Sequence, residues 1–109
     1  MGKYGNRKTE VDGIVFDSRH EASRYIQLKY MMRFGLISDL ELQVPFELIP
    51  KQKDRAGNVV RPVRYQADFV YKRPNGETVV EDAKGVRTEV YKIKKKLMLE
   101  RYGIEIQEV

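Results

Sequence analysis

The chain has no cysteine, no tryptophan, four prolines and a single histidine in 109 residues. Without cysteine neither a disulfide framework nor a thiolate zinc site can form, and one imidazole, His20, cannot build a histidine-rich metal centre. Any metal held by this chain must take oxygen ligands. Long apolar runs are missing too. Nothing approaches the roughly 20 residues of a membrane-spanning helix, and the opening MGKYGNRKTE lacks the apolar centre of a secretory signal. A soluble, cytoplasmic protein with no membrane partner is expected.

What the chain does contain is charge. Charged residues make up 34% and hydrophobic residues 41%, a balance that fits a globular protein rather than a disordered or low-complexity one. At 109 residues the chain has room for one domain, 1–109, around one modest core. Lys and Arg total 21 against 16 Asp and Glu, giving a net charge of +5 and a pI near 9.5. That excess favours a polyanionic partner such as nucleic acid.

Residues 1–10 read as a flexible basic arm, with the core over 11–109. VDGIVF, Val11 to Phe16, carries Asp-Gly between apolar residues, a small hairpin signal. Ser18 is a natural N-cap with Glu21 three residues later, the spacing of a capping box, and a helical apolar pattern follows through Ala22, Tyr25, Ile26, Leu28, Met31 and Met32. The first helix is therefore placed at about 18–34, stopped by Gly35. DLELQVPFELI alternates, with Leu40, Leu42, Val44, Phe46 and Leu48 on one face and Glu41, Gln43, Pro45 and Glu47 on the other; Pro45 suggests an edge strand. The charged stretch Lys51 to Arg61 reads as a hairpin tip or exposed loop. A second strand is expected at about 63–72 and a third at about 78–84, joined by Pro74-Asn75-Gly76. The second helix spans about 88–102 with Thr88 as N-cap and Gly103 at the C-terminal cap, turning Val90, Ile93, Leu97 and Met98 inward. IEIQEV, Ile104 to Val109, forms a fourth strand, parallel to the third after the helical crossover. The order is αβββαβ: a mixed four-stranded sheet flanked by two helices, an α/β fold.

One strand poses a chemical question. VVEDAKG, Val79 to Gly85, has the valines of a strand yet places Glu81, Asp82 and Lys84 among them. If Arg73 pairs with Glu77 across a three-residue loop, Asp68 faces Asp82 with Cβ atoms roughly 5 Å apart. A two-residue loop instead brings Glu81 toward Asp68. The first register is preferred, since it puts Asp82 and Lys84 on one face. Like charges so placed repel unless a cation sits between them. At the start of the first helix Glu21 falls on the buried stripe of Tyr25, Leu28 and Met32, where it serves as a capping-box acid, as a third acid of the site, or as both.

With an acid on the first helix, Asp68 on the second strand and Asp82-Ala83-Lys84 on the third, the chain resembles the PD-(D/E)XK nuclease superfamily, whose restriction-endonuclease-like core is αβββαβ. Ala67 stands where the motif name has Pro, and Glu81 is an extra acid beside it. Glu21 within FDSRHEA resembles the helix acid of Holliday junction resolvase-like and transposon end-cleaving nucleases. KYGNRKTEVDG, FDSRHEA, LELQ, ADFVY and VEDAKG together resemble a family of small uncharacterised phage and prophage proteins assigned to that superfamily. The resemblance implies a Mg²⁺-dependent endonuclease, with Mn²⁺ as substitute, in the cytoplasm of a bacterial host. Asp68, Asp82 and the Ala83 carbonyl would hold the metal, Glu21 would join them through water or a second ion, and Lys84 would orient the attacking water or offset transition-state charge. Gln43 would assist. Glu81 reads as a solvated or salt-bridged side chain.

Arg7, Lys8, Lys51, Lys53, Arg55, Arg61, Lys92, Lys95 and Lys96 could together track phosphates. No base-reading motif is present, so recognition of branched DNA by shape, with a Holliday junction as the favoured substrate, is expected over sequence-specific cutting. Two symmetric nicks at a four-way junction call for a homodimer. A catalytically silent nucleic-acid-binding module, or a nuclease of RNA or DNA ends, is the competing reading.

Overall fold

A computed structural model describes residues 7–84 and 87–109. The first six positions of the basic arm, and Gly85 and Val86, lie outside the described residues. The chain opens with a hairpin, β1 (Thr9–Val11) and β2 (Ile14–Phe16), turned by Asp12 and Gly13, which both take positive φ. The hairpin begins within the stretch expected to be arm, because Thr9 pairs with Phe16. Helix α1 (Arg19–Arg33) follows, with Ser18 as N-cap. Gly35, at φ +74°, and Leu36 close it by donating to the Met32 and Met31 carbonyls, the left-handed exit that glycine permits without strain.

The main sheet has the order β3 (Ser38–Ile49), β6 (Val63–Lys72), β7 (Thr78–Asp82), β8 (Gln107–Glu108). The first three strands are antiparallel and β8 runs parallel to β7. Pro45 does lie on an edge strand, where its missing donor costs nothing. Between β3 and β6 a small hairpin, β4 (Gln52–Lys53) and β5 (Val59–Val60), is turned by Asp54, whose carboxylate accepts the Ala56 and Asn58 amides. The last strand is shorter than its alternation suggests. Only Gln107 and Glu108 pair with β7, while Ile104 and Ile106 turn into the core. Helix α2 (Glu89–Tyr102) lies between β7 and β8, capped by Thr88 and by Gly103 at φ +67°.

Two apolar clusters sandwich the sheet. On the α1 side Phe16, Ala22, Tyr25 and Leu28 meet Phe69, Tyr71 and Val79; on the α2 side Met98 and Ile106 meet Val70 and Val80. Consecutive residues Phe69 and Val70, or Val79 and Val80, thus face opposite helices, as strand geometry requires. The expected single apolar face of β3 is divided. Leu40 and Leu42 join the α1 cluster, whereas Val44, Phe46 and Leu48 join the α2 cluster, and across the ladder Phe69 and Ala67 divide in the same way. The change falls at Gln43, which has φ +52° in mid-strand.

Both helices also depart from expectation. Met32 is exposed and Met31 packs instead; Val90 and Ile93 are exposed, and α2 buries Met98 with Tyr91 and Leu97 half-buried. On each helix more apolar residues are available than one face can cover.

Candidate active site

Glu21 reaches the sheet from the first turn of α1. The Ser18 hydroxyl accepts its amide at 3.1 Å, which is one half of the capping box; its carboxylate turns to Gln43, whose Nε2 donates to Oε2 at 3.0 Å. Glu21 is 2% exposed and its Oε1 is buried without a hydrogen-bond partner among the described residues. Burial, reinforced by the Asp68 and Asp17 carboxylates, pushes its pKa up to about 7. An ionisable group left partly unsatisfied in a core is costly, and such groups cluster at functional sites.

Asp68 lies opposite Gln43, between the pairs Leu42–Phe69 and Val44–Ala67. Gln43 Nε2 donates to Asp68 Oδ1 at 3.1 Å and the Ala83 amide donates to Oδ2 at 2.7 Å. Burial raises its pKa, opposed by the Ala83 amide and assisted by the Asp82 charge. The Gln43 side chain thereby joins Glu21 to Asp68, and its own Oε1 accepts from Gln66 Nε2 at 2.9 Å. That placement depends on a left-handed backbone at a non-glycine residue, a conformation that costs of order 1–3 kcal/mol and concentrates at functional sites.

The β6–β7 register settles the choice between the two acids of VVEDAKG. Arg73 donates to the Glu77 carbonyl at 2.9 Å across a three-residue loop and Phe69 pairs with Glu81, so the next position outward sets Asp82 against Asp68. The regular strand stops there, two residues short of Lys84, because the Ala83 amide is taken by the Asp68 side chain. Asp82 Oδ2 accepts the Tyr65 hydroxyl at 2.8 Å and Oδ1 accepts the Lys84 amide at 3.0 Å. Burial and then the Asp82 charge raise the Tyr65 pKa, which keeps the phenol a donor. The Lys84 ammonium stands 3.6 Å from Asp17 Oδ2, and its charge bears on both Glu21 and Asp68. Glu81 points away, buried against Arg24 and Tyr71.

The structure links Glu21 to Asp68 through Gln43 and Asp68 to the Asp82-Ala83-Lys84 run through the Ala83 amide, and the Glu21–Gln43 end of this network lines a cavity of about 250 Å³ with Ile14, Val15, Phe16, Asp17 and Leu42. Asp17, Tyr65 and Gln66 were not singled out from the sequence. The alternation rule could have found Gln66, two residues from Asp68 on one strand face; nothing local marks Tyr65 or Asp17. Among the described residues no group of three or more His, Cys, Asp and Glu is gathered so as to hold a metal ion. The oxygen-only donor set nonetheless suits a hard cation, and Glu21 Oε1 is a buried acceptor without a hydrogen-bond partner among the described residues. A neutral amide occupies the position between Glu21 and Asp68.

The expected phosphate-tracking residues divide into two groups. Arg7, Lys8, Lys51, Lys53, Arg55, Arg61 and Lys96 are exposed. Lys92 is engaged with Glu89 at 3.1 Å, and Lys95 with Glu108 at 3.2 Å; Arg87 and the Tyr91 hydroxyl also bond Glu108. No helix among the described residues is long and apolar enough to cross a membrane.

The family described as "Protein of unknown function (DUF1064)" matches residues 1–107. No curated protein and no solved structure matches the chain.

Proposed function

The chain belongs to the DUF1064 family, and we propose that it is a Mg²⁺-dependent DNA endonuclease of the PD-(D/E)XK type with a restriction-endonuclease-like core. The observation that carries the reading is the buried, partly unsatisfied Glu21 carboxylate joined through Gln43 to Asp68, which in turn takes the Ala83 amide of Asp82-Ala83-Lys84. Glu21 and Asp68 both have pKa values raised by burial and by a neighbouring carboxylate, Asp68 beside Glu21 and Asp82 beside Asp68, and a divalent cation at the Asp68–Asp82 pair would relieve that repulsion.

Asp68, Asp82 and the Ala83 carbonyl would hold the ion, with Glu21 beside them; bound Mg²⁺, or Mn²⁺ in its place, supplies Lewis-acid polarisation of the phosphate and an acidified water. The chain's own groups do the rest. Tyr65 fixes one Asp82 oxygen and the Lys84 amide fixes the other, so that carboxylate keeps one orientation. The Lys84 ammonium is exposed and its pairing with Asp17 is a surface contact of little strength, so it can turn toward a phosphate and offset the charge that develops there. Gln43 holds Glu21 and Asp68 through its one amide nitrogen and would keep both carboxylates turned toward the site. The Ile14–Phe16 segment and Leu42 give the cavity an apolar wall that limits water.

Branched DNA, with a four-way junction favoured, is the proposed substrate, since the exposed cations are spread over the N-terminal stretch, the β4–β5 hairpin and α2 and the sequence presents no base-reading motif. The reading includes a homodimer. The test is cleavage of a panel of linear, flapped and four-way DNA with Mg²⁺: nicking of branched DNA is expected, and no cleavage of any member with either Mg²⁺ or Mn²⁺ overturns it.

A further inference from the structure

Glu81, the acid beside Asp82, is 1% exposed, and among the described residues its carboxylate accepts from Arg24 and Tyr71 on the α1 side of the sheet. Arg24 Nε donates to Oε1 at 2.8 Å and Nη2 to Oε2 at 2.5 Å, while the Tyr71 hydroxyl donates to Oε2 at 2.5 Å. The remaining arm of the guanidinium, Nη1, donates to Gln27 Oε1 at 3.0 Å within the same helix. Arg24 follows Glu21 by three residues, one helical turn away, and Glu81 precedes Asp82 by one. The two ends of this ion pair are therefore attached, through rigid backbone, to the two halves of the candidate site.

We propose that Arg24 and Glu81, with Tyr71, are positioning residues that fix Glu21 of α1 against Asp82, Ala83 and Lys84 of the β7 end; the inference rests on the nuclease reading above. Stability alone does not account for the pair. Desolvating two charges offsets most of their attraction, and apolar residues of similar volume often serve a core as well or better. What an apolar contact cannot give is a single setting of the helix along the strand. A bidentate guanidinium–carboxylate fork permits one angle and one translation. The α1 N-terminus needs that control, because Glu21 must meet Asp68 through one amide group and has little apolar surface of its own to hold it there.

The decisive variant replaces both charges by apolar groups, Arg24→Met with Glu81→Leu. It is expected to melt close to the parent, while the Mn²⁺ concentration for half-saturation measured by calorimetry rises about tenfold, the lower end of what loss of support behind metal ligands costs, here acting through the backbone that joins Arg24 to Glu21 and Glu81 to Asp82. With DNA, kcat should fall by a similar factor and KM should stay near the parent value. Arg24→Lys, which keeps the charge and loses the fork, decides the matter by the same two readouts if the double variant does not fold. Parent-like Mn²⁺ affinity and kcat in a folded variant overturn the positioning role and leave the nuclease reading intact. A parent that neither binds Mn²⁺ nor cuts DNA removes both.

Discussion

Gln43 stands across the β3–β6 ladder from Asp68, and its amide nitrogen, 3.1 Å from Asp68 Oδ1, is also 3.0 Å from Glu21 Oε2. One neutral donor thus holds two carboxylates that would otherwise repel each other. It does so from a strained backbone, φ +52°, at the point where β3 passes from one core cluster to the other. The strain, the change of face and the acid pair belong to one local arrangement.

Gln43→Leu removes the shared donor and keeps the size of the side chain. The buried Glu21 carboxylate and the half-buried Asp68 lose it, the first at a cost of about 1–3 kcal/mol. The loss should be larger at pH 8, where Glu21 is ionised, than at pH 5. Urea denaturation at the two pH values measures it, and an equal loss at both would show that the amide does not act on charge.

Glu21 contributes one part of the parent's pH dependence. Its folded pKa, about 7, lies above its ordinary value of 4.5, so the folded state holds this proton more tightly than the unfolded chain. The stabilisation is complete below about pH 4.5 and is lost as pH rises through 7. Glu21→Gln should flatten this dependence and equal or exceed the parent's melting temperature at pH 8, since Gln still serves at this position of a capping box. Millimolar Mg²⁺ at pH 8 should raise the parent's melting temperature, and raise the variant's by less, since Asp68, Asp82 and the Ala83 carbonyl remain. A variant that melts below the parent at pH 8 would point to a structural role for the carboxylate.

Much of this site was legible in the sequence for a definite reason. A β-hairpin converts loop length into register, so the sequence narrows the partner of Asp68 to Asp82 or Glu81; the shared face of Asp82 and Lys84 favours the first, and the three-residue loop between Arg73 and Glu77 gives that register. The capping-box spacing likewise located the start of α1 and Glu21. Other features depend on contacts between distant segments. Tyr65 reaches Asp82 and Arg24 reaches Glu81 only once the sheet and helix pack. The αL turn at Gln43 has no local signal, because glutamine is no more disposed to it than its neighbours. Strand β8 and the outward Val90 and Ile93 were misread because alternation and helical spacing describe amphipathic candidates, and packing then chooses among them.

Catalysis should require the motif directly. Asp82→Asn and Lys84→Ala are expected to abolish Mg²⁺-dependent cleavage while DNA affinity stays within a few fold, since phosphate contacts far from the chemistry supply most binding. Undiminished cleavage by either variant would exclude the assignment.

The β4–β5 hairpin tests the nucleic-acid surface. Lys53 and Arg55 are exposed there, and if they neutralise phosphates, each substitution by Ala should reduce the slope of log affinity against log salt by about 1. Lys92→Ala, which removes a cation already paired with Glu89, should change that slope less. Equal effects at both places would mean that net charge alone attracts the DNA.

Assembly is the remaining consequence of the chemistry. One site cuts one strand, and a four-way junction needs two symmetric nicks, which a two-fold dimer delivers most directly. The end of α1 offers a surface for it: Phe34 is 73% exposed, and Ile26, Tyr30, Met32 and Leu36, all within eight residues of it, are exposed too, the kind of apolar surface that marks an interface. Light scattering at micromolar concentration should give the mass of two chains, and Phe34→Glu should give one while preserving the fold seen by circular dichroism. If the parent is a monomer with and without junction DNA, paired nicking is excluded, and single-strand nicking of flapped DNA becomes the activity that this site supports.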